Sequence, residues 1–246
     1  MTDEGMTMMA EGLKRSRREN DMSQSPIVLE VLKHLGANRT VLDIGAGIGR
    51  FTMPLAEAGC RVTALEPSST MRAHLDDALQ EKSMAGAVTV IPNPWPHAFE
   101  NHFEVVLAAY VVHFARDPAQ FIKAMQDTAT ERCVLAVHVD SMMGPLEELW
   151  PVFHPDQAPL HMRVFSDVYP LLLEAGIVAN VTVIEQGSPR FTDSASATSM
   201  LARRLAIQDD PQALERLTSW VTQHWDRVTG RRRRSAIISW RPESVN

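Results

Sequence analysis

Val41-Leu42-Asp43-Ile44-Gly45-Ala46-Gly47-Ile48-Gly49-Arg50 is the stretch that decides the fold. Beginning one residue earlier at Thr40, the run through Ile44 is short and apolar apart from one carboxylate. It stops at a glycine cluster, which reads as a buried strand. Alternate glycines at a strand-to-helix turn let the backbone approach a ligand where side chains would collide. The helix expected over residues 50–58, closed by Gly59, presents its first free amides at the same point. Glu66 lies 21 residues beyond Gly45, where the next apolar run, residues 61–65, ends. A carboxylate there can accept both ribose hydroxyls of a nucleoside in a doubly wound fold.

Two ligand classes compete for this geometry. The dinucleotide fingerprint needs glycine or alanine three residues after its second glycine, and Arg50 occupies that position. A pyrophosphate also gains nothing from the Asp43 carboxylate two residues before the loop, whereas a cationic ligand does. A nicotinamide-dependent oxidoreductase is therefore the disfavoured reading of the same fold.

Outward from the loop, strands and helices alternate. Ser25-Pro26 opens a helix whose Ile27, Val28, Val31, Leu32 and Leu35 share one face and which Gly36 ends. Helices are expected at residues 71–79, after Ser68 and Ser69, and from Asp117-Pro118 to Met125. Strands are expected at 88–91, 103–109 and 134–139. All-apolar strands alternating with helices predict an α/β, doubly wound, mostly parallel seven-stranded sheet, Rossmann-like and covered on both faces.

The second half changes character. Residues 141–165 are rich in Met, Pro, His and Trp without a period and read as a lid. Ser166 is expected to cap a helix ending at Gly176, followed by a strand at 178–184. Helices at 196–207 and 210–227 make residues 186–233 a helical insertion before the last strand, 235–240. That strand is expected to pair antiparallel at the far end of the sheet, with the insertion over the sheet's edge or mouth. The organisation reads as one domain over 1–246, with residues 1–24 an arm and 25–140 the cofactor-binding half.

Bulk properties narrow the function. The chain has 246 residues, 45% of them hydrophobic and 22% charged, so it can bury a core. A net charge of −6 disfavours non-specific binding to nucleic acid or anionic membrane. Lys14, Arg15, Arg17 and Arg18 have no apolar core behind them, unlike a secretory leader, and no run is long enough to span a bilayer. Cytoplasm is the expected compartment. Cys60 and Cys133 read as small reduced core residues, and no cluster has zinc spacing.

With these residues in place, residues 41–49 resemble the first motif of the class I S-adenosylmethionine-dependent methyltransferase superfamily. Ala64-Leu65-Glu66-Pro67-Ser68 resembles that family's acidic motif after the second strand. The likeness covers residues 28–140. It implies S-adenosylmethionine as cofactor, with Gly45, Ala46, Gly47 and Gly49 against its methionine part and ribose. Asp43 would hold the amino-acid end and Glu66 the ribose hydroxyls. Glu66-Pro67-Ser68, followed by Met71, is similar to the branch acting on small metabolites, in which Met71 packs near adenine. The family's usual aspartate after the third strand is absent from Ile91-Pro92-Asn93-Pro94-Trp95. Asn93 is left for the adenine edge, and Trp95 either covers its face or is a core aromatic.

Ala109-Tyr110-Val111-Val112-His113-Phe114 resembles the segment beneath the transferring methyl, which puts Tyr110 at the cofactor. Methyl transfer is an in-line displacement governed by alignment, and a base is needed only for a protonated acceptor. His113 is the candidate base, or else a structural histidine. His138 and Asp140 lie at the strand-end rim, although Asp140 serves equally as a cap. Trp150, His154, His161 and Arg163 belong to the lid, Trp150 and His138 being the candidate acceptor contacts. The run from Arg231 to Arg234 reads as a solvated lead into the last strand rather than a nucleic-acid site. The expected function is methylation of a small molecule, with oligomeric state open. A cofactor-binding regulator or scaffold without catalysis is the alternative, and an RNA methyltransferase comes after it.

Overall fold

The structure, a computed structural model, describes residues 22–141, 143–158, 161–186, 191, 193–229 and 233–243. Most of the arm with Lys14, Arg15, Arg17 and Arg18, and residues Arg231 and Arg232, lie outside the described residues. The elements begin with α1 (Pro26–Lys33), β1 (Thr40–Ile44), α2 (Thr52–Glu57), β2 (Arg61–Leu65) and α3 (Ser69–Glu81). Next come β3 (Val88–Ile91), β4 (Phe103–Ala109), a short 3₁₀ turn (Val112–Phe114), α4 (Pro118–Thr128) and β5 (Ala129–His138). Then follow α5 (Leu146–Phe153), α6 (Phe165–Glu174), β6 (Asn180–Gln186), α7 (Ser194–Arg204), α8 (Pro211–Gln223), α9 (Trp225–Thr229) and β7 (Arg233–Trp240).

The seven strands form one sheet in the order β3-β2-β1-β4-β5-β7-β6, with the β1–β2, β1–β4, β2–β3 and β4–β5 pairs all parallel. The seven-stranded, mostly parallel α/β sheet read from the sequence is the one observed. The sequence order reverses between β1 and β4, and open α/β sheets bind ligands at such a switch point, beyond the carboxyl ends of the strands.

One topological expectation is corrected. The last strand, β7, lies between β5 and β6, and β6 holds the edge. Burial explains the exchange: Ala236, Ile237, Ile238 and Trp240 are buried, whereas Val181 and Val183 of β6 are 38% and 53% exposed. A strand with apolar residues on both faces is stable only inside a sheet. The antiparallel sense holds: Arg234 accepts from the Val139 amide at one end, and Trp240 donates to the Gln126 side chain at the other.

Several local details differ from the sequence reading. Residues 47–51 turn before α2 starts at Thr52, because the glycine loop needs that length to leave the sheet. Ser25 supplies its carbonyl to Leu29, while its hydroxyl has no hydrogen-bond partner. Ser166 falls inside α6, and Asp167 accepts from the Val164 amide instead. α7 starts at Ser194, two residues before the expected position, and Asp193 caps it. Ser68, Asp117 and Asp210 cap α3, α4 and α8 with their side chains.

Packing divides the chain into two compact units. The first contains residues through Val137, Val168–Thr182 and residues from Ile237 on. The second contains His138–Asp167 and Val183–Ala236, and its core is helical: Leu146, Leu149, Leu201, Leu205, Leu217 and Val221 pack together. Among the described residues, no helix is long and apolar enough to cross a membrane.

In the first unit, Glu104 of β4 holds the turn that leads into β1. It is 8% exposed and accepts from the amides of Gly36 at 3.1 Å and Asn38 at 2.9 Å. Gly36 is needed for this contact rather than as a helix stop, since a Cβ there would lie 2.8 Å from the Glu104 carboxylate. Glu104→Ala leaves two amides without an acceptor. It is expected to lower unfolding free energy by about 2–3 kcal/mol, read as an earlier urea midpoint at unchanged slope.

Candidate active site

The parallel register sets the site. Ile44 of β1 pairs with Leu65 of β2, so the glycine loop and Glu66 leave the sheet at the same level. The Gly45 and Ala46 amides both donate to the Leu65 carbonyl, at 2.7 and 3.2 Å, which suspends the loop from the end of β2. Gly45, Gly47 and Gly49 have φ of 68°, 57° and 83°, a region that L side chains adopt at a cost. A Cβ on Gly45 would meet Val111 at 2.5 Å and one on Gly49 would meet Leu75 at 2.5 Å. Gly47 differs: its nearest atom would be 4.0 Å away, so its outer side is open to a ligand.

Two acidic side chains flank this turn. Glu66, 7% exposed, accepts from the Gly47 amide on Oε2 and from the Ser68 amide on Oε1, both at 2.8 Å. Arg72 donates to the Glu66 carbonyl at 2.8 Å, tying α3 to the same corner. Asp43 is 2% exposed on β1 and accepts from the Thr52 hydroxyl on Oδ2 at 2.6 Å. Burial pushes the Asp43 carboxyl up to about 6, and the Glu66 charge adds to the rise, while the Thr52 hydrogen bonds hold it down.

The other expected residues fall around this core in different ways. Ala46 and Met71 are buried, Met71 beneath the first turn of α3, and Pro67 is exposed. Asn93 Nδ2 lies 3.0 Å from His97 Nδ1. Trp95 donates its indole N–H to the Phe121 carbonyl at 3.2 Å and meets the Phe121 ring edge-on. Tyr110 has a φ of 60° and its amide is held by the Ala136 carbonyl; its ring centroid is 6.4 Å from that of Phe51. His113 sits in the 3₁₀ turn, partly exposed, with its ring 4.1 Å from Phe114.

His138 and Trp150 belong to the second unit. His138 Nδ1 lies 3.4 Å from Ser235 Oγ, and Trp150 stands 4.3 Å from the His154 ring against the helical core. His154 is itself held by the Leu205 carbonyl, and His161 by Asp167. Asp140 accepts from the Arg234 amide and guanidinium, both at 3.0 Å, so it serves as an ion-pair partner. Cys60 and Cys133 are free and buried, and burial raises both thiols.

Sequence reasoning passed over Thr52, the partner of Asp43, together with Ser68's amide and Arg72. Only Thr52 left a trace, as a hydroxyl at the head of an otherwise apolar helix, Met53 through Ala56.

The raised Asp43 carboxyl has a stability consequence. A carboxyl with a folded-state value above its unfolded one favours folding when protonated. That contribution is full below about pH 4 and is lost as pH rises through about 6. Asp43→Asn is therefore expected to flatten ligand-free stability across this window. Above pH 6 it should exceed wild type by as much as about 3 kcal/mol in urea unfolding. Parallel pH profiles for the two proteins would show that Asp43 ionises as freely as in the unfolded chain.

Residues 42–136 match a family model described as a methyltransferase domain. An uncharacterized methyltransferase of Mycobacterium tuberculosis is 33% identical over 132 residues, 52% of this chain and 52% of the relative. The ribosomal RNA small subunit methyltransferase J of Laribacter hongkongensis is 32% identical over 109 residues, 44% of this chain and 36% of that protein. The chain thus spans about half the length of the curated relatives it matches, or less. Magnesium protoporphyrin IX methyltransferase of Synechocystis PCC 6803, solved with bound SAH, superposes with a TM-score of 0.56 at 18% identity. The superposition covers 69% of this chain and 77% of that one, and at this identity the likeness is one of fold. Residues 42–136, which contain the glycine loop and both flanking carboxylates, are thus the part of the chain that is similar to a methyltransferase domain, and the solved methyltransferase shares its fold.

Proposed function

We propose that the protein moves the methyl group of S-adenosylmethionine to a small-molecule acceptor. The observation that carries this reading is the pair of buried carboxylates, Asp43 and Glu66, on either side of a glycine turn open at Gly47. A cofactor with an ammonium group, a sulfonium and a ribose diol suits that donor set. A dinucleotide pyrophosphate would bring negative charge against Asp43. When bound, the cofactor supplies a methyl group made electrophilic by the sulfonium.

The chain's own residues bind and align. Asp43 faces the cationic amino-acid end, and Glu66 exchanges part of its hold on the Gly47 amide for the ribose hydroxyls. Gly45 and Gly49 keep the turn tight, and Gly47 admits the ligand to the backbone. Met71, Asn93 and Trp95 mark the adenine end, with Trp95 held rigid by Phe121. Tyr110, just past the end of β4, stands beside Phe51, the residue before α2. There it orients the methyl by contact, since alignment is the main demand of an in-line displacement. His113 takes the proton of an acceptor O–H or N–H when the acceptor arrives protonated.

A small acceptor is favoured over RNA by the net charge of −6 and by the fate of the arginine run: Arg234 is neutralised by Asp140. A soluble protein acting in the cytoplasm is the setting that suits this chemistry.

Calorimetric titration with S-adenosylhomocysteine, with NAD and NADP in parallel, tests the cofactor. Micromolar binding of the first alone is expected, weakened at least tenfold in Glu66→Ala; binding of a dinucleotide alone would overturn the reading. Gly47→Ala is expected to cost about 1 kcal/mol of stability for its left-handed backbone yet to lose most of the affinity. Binding without methyl transfer to any fraction of a metabolite pool would favour a non-catalytic cofactor-binding protein.

A further inference from the structure

We propose that Thr52 is the positioning residue of the cofactor cleft. Its hydroxyl, donated to Asp43 Oδ2, sets the plane of that carboxylate and keeps it an acceptor for the cationic end of the cofactor. The inference rests on the S-adenosylmethionine reading above and adds a residue that neither the glycine motif nor the acidic motif contains.

The geometry is specific. Thr52 is 0% exposed and Asp43 is 2% exposed, with 2.6 Å between the oxygens. No bulk water reaches either group to replace the bond. The terminal torsion of an aspartate is broad, so a carboxylate held only by its own strand swings freely. Threonine is stiff about its first torsion, and Thr52 is the first residue of α2, where Met53, Pro54, Leu55 and Ala56 are all buried. The helix cannot turn without exposing that face. The hydroxyl direction is thus set by the packing of α2, and it transmits that direction to Asp43.

The bond also decides the protonation state. The groups acting on the Asp43 carboxyl are the Thr52 hydroxyl and amide from the start of α2 and the Glu66 carboxylate from the end of β2. Burial and Glu66 favour the neutral acid; among the described residues, only Thr52 favours the anion. A protonated Asp43 has no charge to offer an ammonium group. Without the Thr52 hydroxyl, the cleft needs a higher pH to present the same carboxylate.

The test is a pair of pH titrations on wild type, Thr52→Val, Thr52→Ala and Thr52→Ser. The first follows the Asp43 carboxyl carbon by NMR in ligand-free protein, and the second follows S-adenosylhomocysteine affinity between pH 5.5 and 8.5. Wild type is expected to titrate near 6. Valine and alanine, which lack the hydroxyl, are expected to shift the midpoint up by about one unit. Their affinity should fall about eightfold at pH 5.5, following the ionised fraction of Asp43, and return toward wild type at high pH. Serine restores the hydroxyl and is expected to stay within about threefold of wild type, and it supplies a folded comparison should valine perturb packing. Unshifted midpoints in both hydroxyl-free variants, or an affinity loss equal at every pH, overturn the positioning role while leaving the cofactor reading standing. Wild type that binds no S-adenosylhomocysteine at any pH overturns the cofactor reading itself, and the ligand-free NMR titration keeps the two failures apart.

Discussion

Asp43 places a carboxylate in the middle of a parallel sheet, between Ala64 of β2 and Leu107 of β4. A bare charge there would cost several kcal/mol, and among the described residues its partner is a neighbouring hydroxyl rather than a cation. This choice has consequences on both sides of β1. Thr52 must arrive at a fixed place, so α2 must begin only after a five-residue turn and bury its face completely. A cationic partner supplied by the protein would have satisfied the charge permanently. A hydroxyl stabilises the carboxylate and leaves its charge available to a ligand.

The strand ends are coupled by backbone hydrogen bonds that step across the sheet. Gly45 and Ala46 donate to Leu65, Glu66 donates to Ile91, and Tyr110 donates to Ala136. Each loop that leaves a strand is therefore held by the strand next to it. The rim at these strand ends inherits the rigidity of the sheet even though it is made of turns. Tyr110 shows what this hold can sustain, a left-handed backbone on a residue with a side chain. Gly45 and Val111 meet at the same place: the segment after β4 packs so closely on the loop that only glycine fits beneath it.

The second unit follows other rules. Its core is an interlocked set of helices, with Met143, Trp150, Phe153, Trp220 and Trp225 filling around the leucines. Such aromatic and thioether filling has no strict period, which is why residues 141–165 look irregular in the sequence although α5 lies within them. Trp150 keeps a buried indole N–H without a hydrogen-bond partner in this packing. Its surroundings are those of a core residue, and its candidacy as an acceptor contact came only from its place in an irregular stretch.

Sequence alone determined the sheet, its strand count and the identity of the loop, because each depends on local patterns. Apolar runs of strand length, glycines where only a left-handed backbone can turn, and a carboxylate at the next strand's end are all readable within 30 residues. The family match over residues 42–136 covers that same portion. What tertiary structure decided was partnership. That β7 enters beside β5, that Thr52 rather than a cation answers Asp43, and that Asp140 binds Arg234 across 94 residues follow from which surfaces meet when the core closes. Hydrophobic periodicity states how much of a segment is buried and leaves open against what. Hydrogen-bond partners chosen by that burial are legible only once the packing is in place.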